Sequence, residues 1–244
     1  MASKQKTNQT VRMATPDQLK QVWAIVVQAL PTRLTWAQAQ YWIGHGRELA
    51  AKVRAVFTAV DPYRDVLATW EKLYADHFGM TVDLSGLRVP DPKPGSTRLI
   101  VVVPGLTIES VLAVCAKRLR VWRWTNDNLD TITTSDRSAV AGPYAVWVRD
   151  VQEADPEHAN KSYNDLKEVG VLGITLLERL LLELVYFLET GQHLDVSNIT
   201  LCSGSLSRDG GVPSVDFGDG RLYVNWCSRG SAHVDLRSRQ VVVG

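Results

Sequence analysis

The chain has 244 residues, with 27 Lys and Arg against 26 Asp and Glu, so its formal net charge is +1. That balance excludes a polybasic or polyacidic protein. Apolar residues make up 45% and charged residues 22%, close to the globular average, which is enough to bury one good core or two small ones and unlike a disordered tail.

Residues Met1 to Thr10 are polar, with two lysines and no apolar run behind them. No export signal is therefore expected, and the chain is assigned to the cytoplasm with residues 1–14 as a flexible N-terminus. Thr15 before Pro16 is an N-cap with proline at the first helical position, and Leu19, Val22, Trp23, Val26 and Leu30 follow at helical spacing. A second helix is expected from cap Thr35 through Trp36, Ala39 and Ile43 to the break Gly44-His45-Gly46. A third carries Leu49, Val53, Val56 and Phe57. A fourth opens at Asp61-Pro62, carries Val66, Leu67, Trp70, Leu73, Tyr74 and Phe78, and stops at Gly79. Each stripe leaves an apolar face that a neighbour must cover, so 15–87 reads as a helical subdomain.

Pro90, Pro92, Pro94 and Gly95 bar helix and central strand alike, so 88–97 is expected to be a proline-rich linker to an α+β domain over 98–244. Arg98 to Val103 is a β-branched run. Thr107 then caps a helix with Ile108, Val111, Leu112 and Cys115, and Val121 to Trp124 returns as a strand, the pattern of a β-α-β unit. Thr125 to Gly142 is a long polar connection, and Tyr144 to Val148 is another strand. Thr175 with Glu178 forms a capping box for the strongest helix of the chain, closed by Gly191. On a 100° wheel its leucines fill half the circumference, Glu178, Arg179 and Glu183 fall on the opposite polar arc, and Leu182 sits in that polar arc. Those three charges also rule out a membrane span over 171–188. Asn198–Cys202, Val212–Phe217 and Leu222–Cys227 read as a C-terminal β-meander with glycine turns between them, and Val241–Val243 as a short edge strand. The fold expected is thus α+β: a helical subdomain, then a mixed sheet with packed helices, then a meander.

The segments Tyr144–Asp150 (YAVWVRD), Gly173–Glu189, Thr190–Asp195 (TGQHLD) and Asn198–Gly204 (NITLCSG) resemble a group of uncharacterised bacterial proteins. The likeness runs from about Trp36 to near the C-terminus. That group carries no assigned activity, so the resemblance implies a bacterial source and transfers no catalytic residue, cofactor or substrate.

The run Lys117-Arg118-Leu119-Arg120-Val121-Trp122-Arg123-Trp124 carries the most chemistry. On a strand Trp122 and Trp124 share one face and Arg123 takes the other. Exposed tryptophans beside arginines stack bases and neutralise phosphates; the plainer reading makes the tryptophans core and the arginines a helix terminus. His45 between two glycines is a further candidate contact, its plainer reading a helix corner.

Asp127, Asp130 and Asp136 with Arg137, Arg149 and Asp150 make the alternative case, a hydrolase or nucleic-acid-processing enzyme. It requires these groups to meet in one cleft. The Asp-rich loop lacks the central glycine and distal glutamate of an EF-hand, and Asx residues also cap turns without metal. Cys202, Cys227, Ser203 and Ser205 with His193 or His233 contain the elements of a nucleophile and base, but the strand-to-helix elbow is missing. The five histidines have no ligand spacing, so no metal site is expected. Three cysteines suit a reducing compartment. No cofactor is named by these residues, and oligomeric state is left open. The reading favoured is a cytoplasmic, non-catalytic binding protein that contacts a protein or nucleic-acid partner through Arg120, Trp122, Arg123 and Trp124, without a membrane.

Overall fold

The computed structural model describes residues 14–58 and 61–244. Among the described residues the chain divides into two compact units, 14–65 and 66–244. The proline-rich 88–97 segment is therefore not the boundary between units. It lies within the larger one, where the Trp147 indole donates to the Pro90 carbonyl at 2.7 Å.

The smaller unit holds α1 (Pro16–Ala29), α2 (Trp36–Gly44) and α3 (Gly46–Thr58). Both expected caps form: Thr15 with Gln18 and Thr35 with Gln38 make reciprocal capping boxes. The expected mutual burial does not follow, since neither α1 nor α2 contains a buried residue. Trp23 meets Phe57 with ring centroids 6.3 Å apart.

The larger unit is α+β. The helix α4 (Arg64–Phe78) buries Trp70 and Tyr74, and the Tyr74 hydroxyl donates to the Val101 carbonyl. Strand β1 (Ser96–Val102) pairs antiparallel with β4 (Tyr144–Arg149). Between them come α5 (Ile108–Ala116), β2 (Arg120–Arg123), α6 (Leu129–Ile132) and β3 (Thr133–Ser135). The 125–142 connection is thus partly structured. A 3-10 turn (Pro156–His158), α7 (Tyr163–Glu168) and α8 (Leu176–Thr190) precede β5 (Ile199–Leu201), β6 (Ser205–Ser207), β7 (Val212–Gly218), β8 (Arg221–Cys227) and β9 (Leu236–Ser238).

The meander β5-β7-β8 forms as expected and is extended into a five-stranded mixed sheet in the order β2-β8-β7-β5-β9. The β-α-β expectation is corrected: β1 and β2 belong to different sheets, and β2 runs parallel to β8 instead. The reason is geometric. A β-branched run followed by a helix and a second run specifies alternation of elements but not which of several later strands each pairs with. The expected 241–243 strand is reduced to a single bridge, Val242 with Trp147, and β9 supplies the edge in its place.

Helix α8 is central, packing on α5 and lying against β1 and β7. Its capping box is as the spacing predicts, and Gly191 closes it in the left-handed conformation at φ 70°. Its polar arc does not face solvent, however: Glu178, Arg179, Leu182 and Glu183 are all buried. A second apolar cluster of Leu166, Leu201, Val212 and Leu236 lies beneath α7 on the opposite face of the large sheet.

Candidate functional site

Cross-strand partners share a face of a sheet, and the register of the large sheet sorts its side chains accordingly. Leu222, Val224 and Val215 turn to one face and are fully buried. On that face Arg123 reaches α5, where its guanidinium grips Glu109 with two bonds of 2.8 Å. The other face carries Arg120 opposite Arg221 and Trp122 opposite Tyr223. It continues through Asp216 opposite Tyr223 and Ser214 opposite Asn225. Helix α7 and its cluster cover this face at the β5 and β9 end, with Leu201, Val212 and Leu236 beneath it. Among the described residues β2 and the Arg221–Asn225 stretch of β8 are left open on this face. Trp122 is 40% exposed, and Arg120, Arg221 and Asn225 are exposed.

Two pairs therefore sit side by side on an open sheet edge. Trp122 and Tyr223 have ring centroids 5.7 Å apart at an interplanar angle of 50°. Arg120 and Arg221 face each other across adjacent strands, and neither makes an ion pair among the described residues. Like charges placed directly opposite are destabilising, so an anion between them relieves the pair. Burial pushes the Asp216 carboxyl, on the same face, up to about 6, with Arg179 opposing and Asp195 adding to the rise.

Of the residues expected to bind, Arg120 and Trp122 lie on this surface. Arg123 is committed to Glu109 and to the Asp127 carbonyl. Trp124 is half-buried, and its amide prolongs the ladder to the Val224 carbonyl at 3.1 Å. His45, in the smaller unit, caps α2 by stacking on Tyr41 and holding the Tyr41 carbonyl at 2.7 Å, the helix-corner role. Sequence reasoning missed Arg221 and Tyr223. Their signal was the alternation in Arg221-Leu222-Tyr223-Val224-Asn225, which marks out every second residue once Leu222 and Val224 are known to be core.

The residues of the enzymatic alternative do not meet in one cleft. The Asp130 carboxylate accepts from the Ile108 and Glu109 amides at 2.6 and 3.2 Å, occupying the N-terminus of α5 as an anion would. Asp136 holds Lys167 at 2.6 Å. Arg137 is clamped to Glu178, Arg149 to Glu157, and Asp150 to Arg98. The nucleophile candidates are equally committed. Burial pushes the Cys202 thiol up, and the Cys227 thiol up to about 11. The Ser203 hydroxyl pairs with Ser238 at 2.7 Å and Ser205 with Ser135 at 2.8 Å. His193 is stacked between Phe187 and Phe217, with its Nδ1 2.9 Å from Glu183. Among the described residues no three His, Cys, Asp or Glu side chains gather as metal ligands.

Beneath the sheet lies a buried ion network built on the polar arc of α8. Arg179 Nε donates to Asp195 at 2.9 Å and its Nη1 to Glu183 at 3.0 Å, while Arg239 Nη2 donates to the other Asp195 oxygen at 2.7 Å. Arg179 Nη2 lies 2.8 Å from Asp195, but its N–H bonds are not aimed at an acceptor, so that contact is electrostatic only. Burial alone raises the Asp195 carboxyl, yet Arg239, Arg179 and the Thr200 hydroxyl together hold it below the usual carboxylate range. Asp195 also takes a left-handed backbone, φ 53°, which Asp tolerates better than most residues.

No protein-family model, curated protein or solved structure matches this chain. Among the described residues no helix is long and apolar enough to cross a membrane.

Proposed function

We propose that this chain is a non-catalytic binding protein of the bacterial cytoplasm, and that its partner is single-stranded nucleic acid held on the open β2–β8 face. What supports the reading is one juxtaposition: two arginines without ion pairs among the described residues, opposite one another, beside an aromatic pair of exposed Trp122 and half-buried Tyr223. A phosphate between Arg120 and Arg221 relieves their repulsion, and the neighbouring base stacks on the aromatic pair. The near-neutral net charge makes the contact short, a few nucleotides, not a long electrostatic track. Three free cysteines agree with a reducing compartment.

The test is a fluorescence titration with labelled single-stranded DNA and RNA dodecamers at low salt. Trp122→Ala is expected to weaken binding by about 5- to 150-fold, from the roughly 1–3 kcal/mol of one base–aromatic stack. Arg120→Gln with Arg221→Gln is expected to weaken it and to flatten the salt dependence by about 0.7 for each phosphate no longer neutralised. Binding that neither variant alters, or none at 20 mM salt, overturns the reading.

A further inference from the structure

We infer that the smaller, helical unit carries a peripheral membrane-binding surface: the exposed apolar stripes of α1, α2 and α3, set among cations, seat this chain on the headgroup layer of an anionic phospholipid bilayer. On the α1 wheel Leu19 and Trp23 share one arc, with Asp17, Gln21 and Gln28 opposite. Both apolar residues are exposed, as are Trp36 and Ile43 of α2 and Val56 and Phe57 of α3. Trp23 and Phe57 touch, with ring centroids 6.3 Å apart, so the stripes of α1 and α3 adjoin. An exposed apolar patch of this kind marks an interaction surface. With 14, 9 and 13 residues, the helices are too short to be stable by propensity alone, which leaves the packing of that patch to stabilise them.

Charge selects the occupant. Residues 1–65 carry nine Lys and Arg against four Asp and Glu, whereas residues 66–244 carry eighteen against twenty-two. The near-neutral total thus hides a basic helical unit. On the α3 wheel Lys52 borders the apolar stripe on one side, and Arg47 and Arg54 border it on the other. From such borders long cationic side chains reach headgroup phosphates while their stems stay with the apolar face. Trp23, Trp36 and Tyr41 bring three exposed amphipathic rings into the same unit, and such rings concentrate where hydrocarbon meets water.

The other occupants each satisfy one term and oppose or ignore the second. A further copy of this chain would cover the apolar stripes but press like charge on like charge. A nucleic acid would answer the charge but leave Leu19, Ile43 and Val56 in water. An anionic bilayer answers both. The expectation of no membrane rests on the charges that bar a span over 171–188, and a helix that lies in the interface needs no span.

The experiment is flotation of the full chain with vesicles of phosphatidylglycerol and phosphatidylcholine in equal parts, and with vesicles of phosphatidylcholine alone. The chain is expected to float with the anionic vesicles at low salt, to bind the neutral ones about tenfold more weakly or worse, and to be released as salt rises. Trp36→Ser with Ile43→Ser is expected to weaken anionic binding by about tenfold or more, through the apolar area removed. Arg33→Gln with Arg47→Gln is expected to weaken it by roughly fivefold for each charge. Gln21→Ser, on the opposite arc of α1, is expected to change nothing. All these positions are exposed, and circular dichroism of each variant confirms folding. No flotation, equal binding to both vesicles, or binding that the Trp36 and Ile43 pair leaves unaltered overturns the proposal. So does a dimer that this pair converts to a monomer in light scattering, which makes the patch a contact between copies, or a dodecamer titration that the Arg33 and Arg47 pair weakens, which makes it a nucleic-acid surface.

Discussion

At the scale of single residues, this protein uses charge in its interior and leaves it unmatched at one edge. Asp195 holds Arg179 and Arg239 together where none of the three reaches solvent. Removing one partner strands the others, because a buried guanidinium recovers no hydration. Asp195→Ala is therefore expected to cost about 3–5 kcal/mol, read as a lower urea midpoint at unchanged slope. Asp216 works in the opposite sense. Its folded carboxyl titrates near 6 against an ordinary 3.8, so the native state binds the extra proton and stability falls as pH rises from about 4 to 6. Asp216→Asn is expected to raise the melting temperature at pH 7, with the advantage gone below pH 4; equal profiles across that window count against it. The thiols make a third case. Burial pushes Cys115 up to about 12 and Cys227 up to about 11, and Cys202 is fully buried. All three should react slowly with a thiol reagent at pH 8 in the native protein and fast in guanidinium.

At the scale of elements, α8 depends on a close approach that only glycine permits. A Cβ on Gly173 would lie 1.8 Å from the Ser203 Oγ, and one on Gly204 would lie 2.5 Å from the Gly173 carbonyl oxygen. This crossing sets the 173–175 entry to α8, where Ser205 Oγ accepts from the Leu176 amide and the Gly204 amide donates to the Ile174 carbonyl. Gly173→Ala is expected to cost about 1–3 kcal/mol by overpacking. Adding Ser203→Ala should recover part of that loss, giving a coupling energy in a double-mutant cycle; strict additivity would mean that the two do not meet.

At the scale of the whole molecule, the buried apolar residues run from Val66 to Val242, while Trp23, Trp36 and Ile43 of the smaller unit are 59%, 79% and 73% exposed. The stability of the larger unit is therefore its own. A chain starting at residue 61 is expected to melt within about 4 °C of the full protein, the shift that roughly 1 kcal/mol produces in a domain of this size. A larger fall would show that residues 1–60 contribute to its core.

The capping box at Thr175 and Glu178, the glycine stop at Gly191 and the meander strands were all legible because caps, periods and turns are local: each depends on residues within a few positions of one another. The alternation around Trp122 likewise foretold that Arg123 takes the opposite face. What lay beyond the sequence was every decision made across a distance. The pairing of β1 with β4 and of β2 with β8 joins residues tens to a hundred positions apart, and periodicity carries no partner's name. The sequence marked the polar arc of α8 but not what covers it, because its counterions, Asp195, Arg239 and Arg137, come from other segments. The open surface follows the same rule. Trp122 is exposed and Tyr223 half-buried because α5 covers one side of β2 and α7 covers only the far end of the other, so burial there was settled by where the helices pack.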